Sequence, residues 1–133
     1  MLTTLLTTTT ATTARVAIVT GATKGLGLGI ARGLGEARYR VHITGRTAAG
    51  PGGLEAAAHA VNAAGGEAIV HQCDHSDPAA IQALFDTVFA AEPNGVDVLV
   101  NNVYPAVDAL GDALRSGRTR FWELPASAFS DTN

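Results

Sequence analysis

The fold is decided by one stretch, Val16-Ala17-Ile18-Val19-Thr20-Gly21-Ala22-Thr23-Lys24-Gly25-Leu26-Gly27-Leu28-Gly29-Ile30. Its first four residues form a short apolar run rich in β-branched side chains, which predicts a buried strand. Gly21 allows a sharp turn after that strand, and Gly25 and Gly27 lack a Cβ, so their backbone can approach a ligand closely. The apolar-periodic segment that follows predicts a helix whose unpaired N–H groups and positive dipole end face the turn. The stretch therefore predicts a pyrophosphate site, with a flexible turn between strand and helix as the alternative.

The rest of the chain repeats this alternation of strand and helix. Short apolar runs predict further strands at 39–45, 67–73 and 96–101, and apolar residues at helical spacing predict helices at 25–37, 54–64 and between Asp77 and Pro93. Near-continuous apolar strands that alternate with helices are typical of a parallel sheet with helices on both faces. The predicted fold class is therefore α/β, a doubly wound parallel sheet of about four strands.

Three local features of the helices carry expectations about packing. After Gly25 at its start, helix 25–37 contains four more glycines, of which we expect only the first two to lie close to a cofactor or the sheet: Gly27, Gly29, Gly33 and Gly35. Arg38 follows that helix, at a position that favours glycine in the left-handed conformation. Asp77 is the predicted N-cap of the last helix, with Pro78 at its first position. In that helix an apolar stripe is predicted to pack in the core: Ile81, Leu84, Phe85, Val88 and Phe89.

Composition limits the classes of function. The chain has 133 residues, of which 47% are hydrophobic, and a net charge of −3. This length allows one domain at most, and the charge gives no reason to expect nucleic acid or an anionic membrane as a partner. Cys73 is the only cysteine, no Cys/His spacing suggests a metal, and no apolar run would span a bilayer. We expect a reducing, cytoplasmic setting and a disordered threonine-rich tail at 1–14, with an organelle address there as the alternative.

Three motifs, in order along the chain, resemble those of the short-chain dehydrogenases/reductases. Residues 20–27, Thr-Gly-Ala-Thr-Lys-Gly-Leu-Gly, resemble the cofactor loop of that family. Asp74 resembles the family's adenine-site aspartate, and 101–104, Asn-Asn-Val-Tyr, resemble its Asn-Asn-Ala-Gly signature with the last two positions altered. Together with 43–46 and 121–127, these motifs are similar to the branch called dehydrogenase/reductase member 1. The resemblance covers about residues 15–133.

The resemblance implies a Rossmann fold, a partial NAD(P)-binding domain at 15–133, and oxidoreductase chemistry between carbonyls and alcohols. In the family a serine and a Tyr-x-x-x-Lys pair carry the chemistry: the tyrosine exchanges the proton and the lysine lowers its pKa. Here Lys24 is the only lysine, and no Tyr-x-x-x-Lys pair occurs. We therefore expect no catalytic residue in this chain and interpret it as the cofactor-binding half of a reductase. A catalytically inactive nucleotide-binding or regulatory module and a non-functional truncated product are the alternatives.

The resemblance also implies a set of cofactor contacts. Thr20 is expected to brace the loop by hydrogen bonding, and Lys24 to meet a phosphate as a point charge, or else to be a solvated loop lysine. A carboxylate directly after the second strand would favour NAD. This chain has Gly45 and then Arg46 at that place, which predicts NADP, with NAD as the less favoured cofactor. The predicted cofactor-binding residues are Thr20, Gly21, Thr23, Lys24, Gly25, Leu26, Gly27, Arg46, Asp74, His75, Asn101 and Asn102.

Other polar residues have simpler interpretations beside the functional ones. Asp74 either binds near the adenine or caps a turn, and His75 either lines the adenine pocket or has no such role. His42 and His71 lie on predicted strands and are expected to be packed or half-exposed. Cys73 is expected to be a buried small hydrophobic residue rather than a nucleophile. A basic run is expected to lie in a solvated loop: Arg115, Arg118 and Arg120.

The predicted sheet leaves one edge open. In the family-like strand order the fourth strand is flanked by a fifth, which these 133 residues do not supply. An open edge and uncovered apolar faces predict self-association or marginal stability. The expected partners are NADP(H) and, only in a full-length relative, a small carbonyl or alcohol substrate.

Overall fold

The computed structural model describes residues 13–104 and, beyond them, 115, 117, 120 and 123. Their helices and strands are, in chain order, β1 (Val16–Val19), α1 (Gly25–Glu36), β2 (Arg40–Gly45), α2 (Leu54–Ala63), β3 (Glu67–Gln72), α3 (Pro78–Ala91) and β4 (Val98–Val100). Most of the predicted threonine-rich tail lies outside the described residues, and so do Arg118 and nearly all of the motif at 121–127.

The strands form one parallel sheet in the order β3-β2-β1-β4. β1 lies inside it, because Val16 to Val19 pair with Arg40 to Ile43 of β2 on one side and Ala17 to Val19 pair with β4 on the other. All four residues of β1 are buried. The predicted α/β class, with about four parallel strands and alternating helices, is confirmed.

Helices α1 and α2 cover one face of the sheet. Side chains that point to this face alternate along each strand with those that point away. On α2, Leu54, Ala57 and Val61 are fully buried, which confirms the apolar face predicted for that helix. The core of this layer consists of Ala17, Val19, Ala22, Ala31, Val41, Ile43, Leu54, Ala57 and Val61.

Helix α3 covers the opposite face, so the sheet is doubly wound. Leu84 and Val88 are buried there with Ile18 and Cys73, while Ile81 and Phe85 are partly buried against them. The prediction that the whole apolar stripe packs in the core is wrong for Phe89, which is 55% exposed. Each residue turns about 100° around a helix, so a stripe that includes both 88 and 89 is wider than the contact with the sheet. The Phe89 ring instead lies 5.9 Å from that of Phe85.

The glycines of α1 are placed differently from the prediction. A Cβ on Gly29 or Gly33 would meet nothing within 4 Å, so the expected close approach of Gly29 to the sheet is wrong. A Cβ on Gly35 would lie 2.8 Å from the carbonyl oxygen of Val61 on α2. Gly35 is therefore needed where α1 and α2 cross, a reason that no pattern within α1 could supply.

The ends of the elements follow the expected capping chemistry. Arg38 has a φ of +65° after α1, the left-handed conformation that the sequence predicted at this position. The Asp77 side chain accepts a hydrogen bond from the backbone N–H of Ala79, which confirms the predicted N-cap of α3. Only the middle of the strand predicted at 96–101 pairs with β1, so β4 has 3 residues. Leu99, at this edge of the described sheet, is 48% exposed.

Candidate functional site

The glycine-rich loop joins β1 to α1 at the carboxyl edge of the sheet. Gly21 and Gly25 have φ of +66° and +56°, which L side chains rarely adopt. Lys24 occupies the N-cap of α1 in an extended conformation and makes no side-chain capping hydrogen bond. The first turn of α1 contains no acidic residue, so the positive end of the helix is not neutralised there. This geometry suits an anionic ligand.

Gly27 is the point of closest approach beneath the loop. A Cβ at this residue would overlap the carbonyl oxygen of Gly21 and would lie 2.5 Å from the Nδ2 atom of Asn102. Gly27 is buried, whereas Leu26 beside it is 73% exposed. The absence of a side chain at 27 thus lets the helix start directly under the turn.

Thr20 and Asn102 connect the loop to the end of β4. The Thr20 hydroxyl donates to the carbonyl of Val100 at 3.2 Å and accepts from the backbone N–H of Asn102 at 2.9 Å. The Asn102 amide donates to the carbonyls of Thr20 and Gly21, each at 3.1 Å. The predicted bracing by Thr20 is confirmed, and Asn102 braces the same loop from the neighbouring strand. Whether either residue contacts a cofactor stays a prediction.

The end of β2 has no room for a side chain at Gly45. A Cβ there would lie 2.5 Å from the Cγ2 atom of Thr23 in the glycine-rich loop. Arg46 follows and is exposed. The loops that carry Thr23 and Arg46 are thus adjacent, as two parts of one binding surface would be.

Asp74 is exposed in the loop after β3. Its Oδ1 atom accepts hydrogen bonds from the backbone N–H and the hydroxyl of Ser76, at 2.9 and 2.7 Å. These bonds lower the pKa of Asp74, and the charge of Arg46 lowers it further. The turn-capping alternative is therefore present in the structure. A role near the adenine stays a prediction.

The His75 side chain is half-buried, and its ring reaches toward the interior of the protein. Its Nε2 atom lies 2.8 Å from the Oγ1 atom of the fully buried Thr44, and that Oγ1 accepts from the backbone N–H of Gly21 at 3.3 Å. The ring therefore contacts the glycine-rich loop through Thr44. The sequence prediction named His75 but not Thr44, because a threonine within an apolar strand carries no signal of its own.

The remaining predicted residues have simple surroundings. Lys24, Gly25 and Asn101 are exposed, as ligand contacts at the rim of a site would be. Cys73 is 2% exposed, and burial raises the pKa of its thiol, as do Asp74 and Asp77. This confirms Cys73 as a buried small residue. Arg115 and Arg120 are exposed, while Arg118 lies outside the described residues.

The structure also forms a buried cluster that the sequence did not predict. His42 is 0% exposed, and its two ring nitrogens lie 2.8 Å from His71 Nε2 and 3.0 Å from Glu92 Oε1. Arg40 donates to both oxygens of Glu92 at 3.2 Å. Among the described residues, no group of three or more histidine, cysteine, aspartate or glutamate side chains, this cluster included, is arranged so that it could hold a metal ion. The sequence carried no signal for this cluster, because it depends on the register of β2 against β3, which pairs His42 with Ile69 and Thr44 with His71 and so makes the two histidines diagonal neighbours.

No helix within the described part of the chain is long and apolar enough to cross a bilayer. In the sequence, likewise, no run of apolar residues is long enough to span a bilayer. The cytoplasmic setting expected from the sequence stays a prediction.

Comparison with known proteins places this geometry in a family. The model of the short chain dehydrogenase family matches residues 15–113. Dehydrogenase/reductase SDR family member 1 of Mus musculus is 39% identical over 119 residues, which are 90% of this chain and 36% of that protein. The human protein of the same name is 37% identical over the same length. The chain thus spans about a third of the length of these curated relatives.

Solved structures agree with the sequence comparison. A metagenomic short-chain oxidoreductase in complex with NADP is 46% identical, with a TM-score of 0.60, over 67% of this chain and 38% of that one. A substituted actinorhodin polyketide ketoreductase with NADPH is 43% identical, with a TM-score of 0.59, over 67% of this chain and 33% of that one. By the family match, the relatives and the fold, this chain belongs to the short-chain dehydrogenase/reductase family and corresponds to its N-terminal, Rossmann-type part.

Proposed function

We propose that this chain is the NADP(H)-binding part of a short-chain oxidoreductase that interconverts carbonyls and alcohols. The observation that carries the proposal is the glycine-rich loop at the carboxyl end of β1, with Gly27 directly beneath Gly21 and the start of α1 aimed at the turn. In doubly wound sheets this is where a dinucleotide pyrophosphate sits. The nicotinamide of the bound cofactor would supply or accept the hydride.

Particular residues fit the parts of that cofactor. The N–H groups at the start of α1 would meet the pyrophosphate, and Lys24 would add a positive charge. Thr20 and Asn102 hold the loop in shape through the hydrogen bonds described above. Asp74 would lie near the adenine, at the far end of the same edge. Chain atoms thus bind and orient the cofactor without themselves moving a proton.

The preference for NADP rests on the end of β2. Gly45 stands where a ribose-binding carboxylate would favour NAD, and a side chain there would collide with Thr23. Arg46 is exposed beside it and available to an additional phosphate. Two of the similar solved proteins are described with NADP or NADPH, which supports this choice.

A change of charge at Arg46 tests the cofactor choice. We expect Arg46→Glu to weaken NADPH binding by at least about tenfold, because a charge-assisted hydrogen bond is lost, and to leave NADH affinity nearly unchanged. Fluorescence titration of the reduced nicotinamide measures both. Arg32→Glu, an equal charge change at an exposed position of α1, is the control. Equal NADPH affinity in the wild type and Arg46→Glu would remove the case for this arginine.

A second candidate function is a nucleotide-binding module without turnover. It is favoured by the single lysine, Lys24, and by Ile43 and Asp108 standing where lysines would complete Tyr-x-x-x-Lys pairs with Tyr39 and Tyr104. Without such a pair, the 133 residues supply no tyrosine proton donor with a tuned pKa. Reading the transcript past the codon for Asn133 discriminates the two: the oxidoreductase requires a serine and a Tyr-x-x-x-Lys pair to be encoded there, whereas the module binds NADPH and requires neither. Self-association through the β4 edge stays a prediction, supported by the exposure of Leu99.

A further inference from the structure

The loop after β3 is linked to the glycine-rich loop through one buried hydroxyl. Thr44 is 0% exposed near the end of β2. Its Oγ1 atom accepts from the backbone N–H of Gly21 at 3.3 Å and lies 2.8 Å from His75 Nε2. The backbone carbonyl of Thr44 also accepts from the N–H of Ala22 at 2.9 Å. One residue of β2 therefore holds two consecutive amides of the loop and the ring of His75.

The direction of these bonds follows from what each group can donate. The Gly21 N–H can only donate, so Thr44 Oγ1 is the acceptor in that pair. The hydroxyl has one hydrogen, and within the described residues His75 Nε2, at 2.8 Å, is the atom in a position to accept it. The relay thus runs from Gly21 N–H to the Thr44 hydroxyl and on to His75 Nε2. It requires a neutral imidazole whose Nε2 carries no proton.

The surroundings of His75 favour that neutral form. Burial lowers the pKa of His75, and the carboxylate of Asp74 raises it by a smaller amount. Arg46 acts on Asp74 from the end of β2. Thr44 is the neutral polar group that faces the ring from β2. A protonated ring would donate to Thr44 Oγ1 and would displace the hydroxyl hydrogen into a buried position without its acceptor.

We propose that His75 is a positioning residue, which through Thr44 sets the orientation of the Gly21 amide and so couples the adenine side of the dinucleotide site to its phosphate side. The proposal rests on the proposed NADP(H) binding and adds a regulation to it. Cofactor affinity falls when His75 gains a proton, because the relay to the phosphate loop is then reversed. No step of the relay transfers a group or an electron.

The relay is tested by substitutions that either remove or keep the hydroxyl at position 44 and the hydrogen-bond acceptor at position 75. Thr44→Val removes the hydroxyl at nearly constant volume, whereas Thr44→Ser keeps it. His75→Leu removes the acceptor, whereas the side-chain carbonyl of His75→Gln restores one near the Nε2 position. We expect Thr44→Val and His75→Leu each to weaken NADPH binding about fivefold to tenfold, and the conservative variants to recover most of the affinity. His59→Gln, on an exposed position of α2, is the control.

The pH profile separates a positioning role from a merely structural one. NADPH affinity, measured by calorimetry from pH 8 to pH 5, should fall for the wild type below the ordinary histidine pKa of 6.5. The phosphate of the ligand titrates near pH 6 as well, so the profile of His75→Gln supplies the baseline. We expect the wild-type profile to fall more steeply than this baseline. Identical profiles, or equal affinity in His75→Leu and His75→Gln, would overturn the proposal.

A measurement without cofactor keeps the two proposals distinguishable. Hydrogen exchange of the Gly21 amide should be faster in Thr44→Val and His75→Leu than in the wild type, Thr44→Ser and His75→Gln. If the wild type binds no NADPH while the exchange pattern holds, the proposed function fails and the relay stands as a structural link only. If the exchange rates are equal in all five proteins, the relay itself is refuted.

Discussion

Gly35 shows how a single missing methyl group sets the distance between two helices. A Cβ at Gly35 would lie 2.8 Å from the Val61 carbonyl oxygen, whereas a Cβ at Gly33 would meet nothing within 4 Å. We expect Gly33→Ala to stabilise the chain by up to about 1 kcal/mol, because alanine is the better helix former. We expect Gly35→Ala to destabilise it by about 1–3 kcal/mol through overpacking. Urea unfolding measures both, and equal stabilisation by the two substitutions would contradict the described packing.

At the residue scale, the sequence predicted which kinds of residue have a function better than it predicted which residues contact each other. The glycine spacing predicted a close approach at Gly27, and the structure places the Gly21 carbonyl there. It also predicted that Gly29 lies close to a cofactor or the sheet, and its approach to the sheet is wrong. The two glycines differ because only some positions of α1 face a neighbouring element. The packing of α2 and β4 determines which positions these are. For the same reason Thr44 was not predicted, although it joins Gly21 to His75.

At the scale of elements, the contact between β2 and the end of α3 holds the one buried carboxylate among the described residues, that of Glu92. Glu92, which follows α3, receives hydrogen bonds from His42 and Arg40. Burial would raise the pKa of Glu92, but these bonds outweigh it and lower that pKa. Burial also lowers the pKa of His71, and the adjacent His42 adds to this effect. Both shifts favour the deprotonated forms of Glu92 and His71 in the folded chain.

These pKa shifts predict that the free energy of unfolding decreases as the pH is lowered. Between its lowered folded pKa and its ordinary value of 6.5, His71 is protonated more in the unfolded chain than in the folded one. The free energy of unfolding therefore decreases as pH falls below 6.5, and Glu92 extends the loss toward its own lowered pKa. We expect His71→Gln to flatten this slope and the exposed His59→Gln to leave it unchanged. Urea midpoints from pH 8 to pH 5 measure it; equal slopes in all three proteins would contradict this account.

Element boundaries were predicted well where chain chemistry sets them. Asp77, the predicted N-cap, marks the start of α3 in the structure as well. Boundaries set by tertiary contacts were predicted less well. β4 is shorter than the predicted strand because only Val98 to Val100 pair with β1. Phe89 is exposed because its position is about 100° around α3 from Val88, which is buried against the sheet.

At the scale of the whole molecule, the alternation of elements was enough to predict the fold class. Parallel strands need crossover helices, and near-continuous apolar strands need cover on both faces, so four such units leave few other arrangements. The strand order was a further step, which came from the family resemblance. The buried cluster around His42 was not predicted, because it depends on the register of β2 against β3 and on where Glu92 comes to lie.

The central claim is that the glycine-rich loop between β1 and α1 seats NADP(H). Calorimetric titration of NADPH into the wild type, Gly27→Ala and Gly29→Ala tests it most directly, since the two alanines lie two residues apart on one helix. The account predicts one saturable site in the wild type and in Gly29→Ala, where a Cβ has open space. It predicts loss of binding in Gly27→Ala, where a Cβ would overlap the Gly21 carbonyl. No saturable heat with the wild type, or wild-type affinity in a folded Gly27→Ala, would contradict the claim.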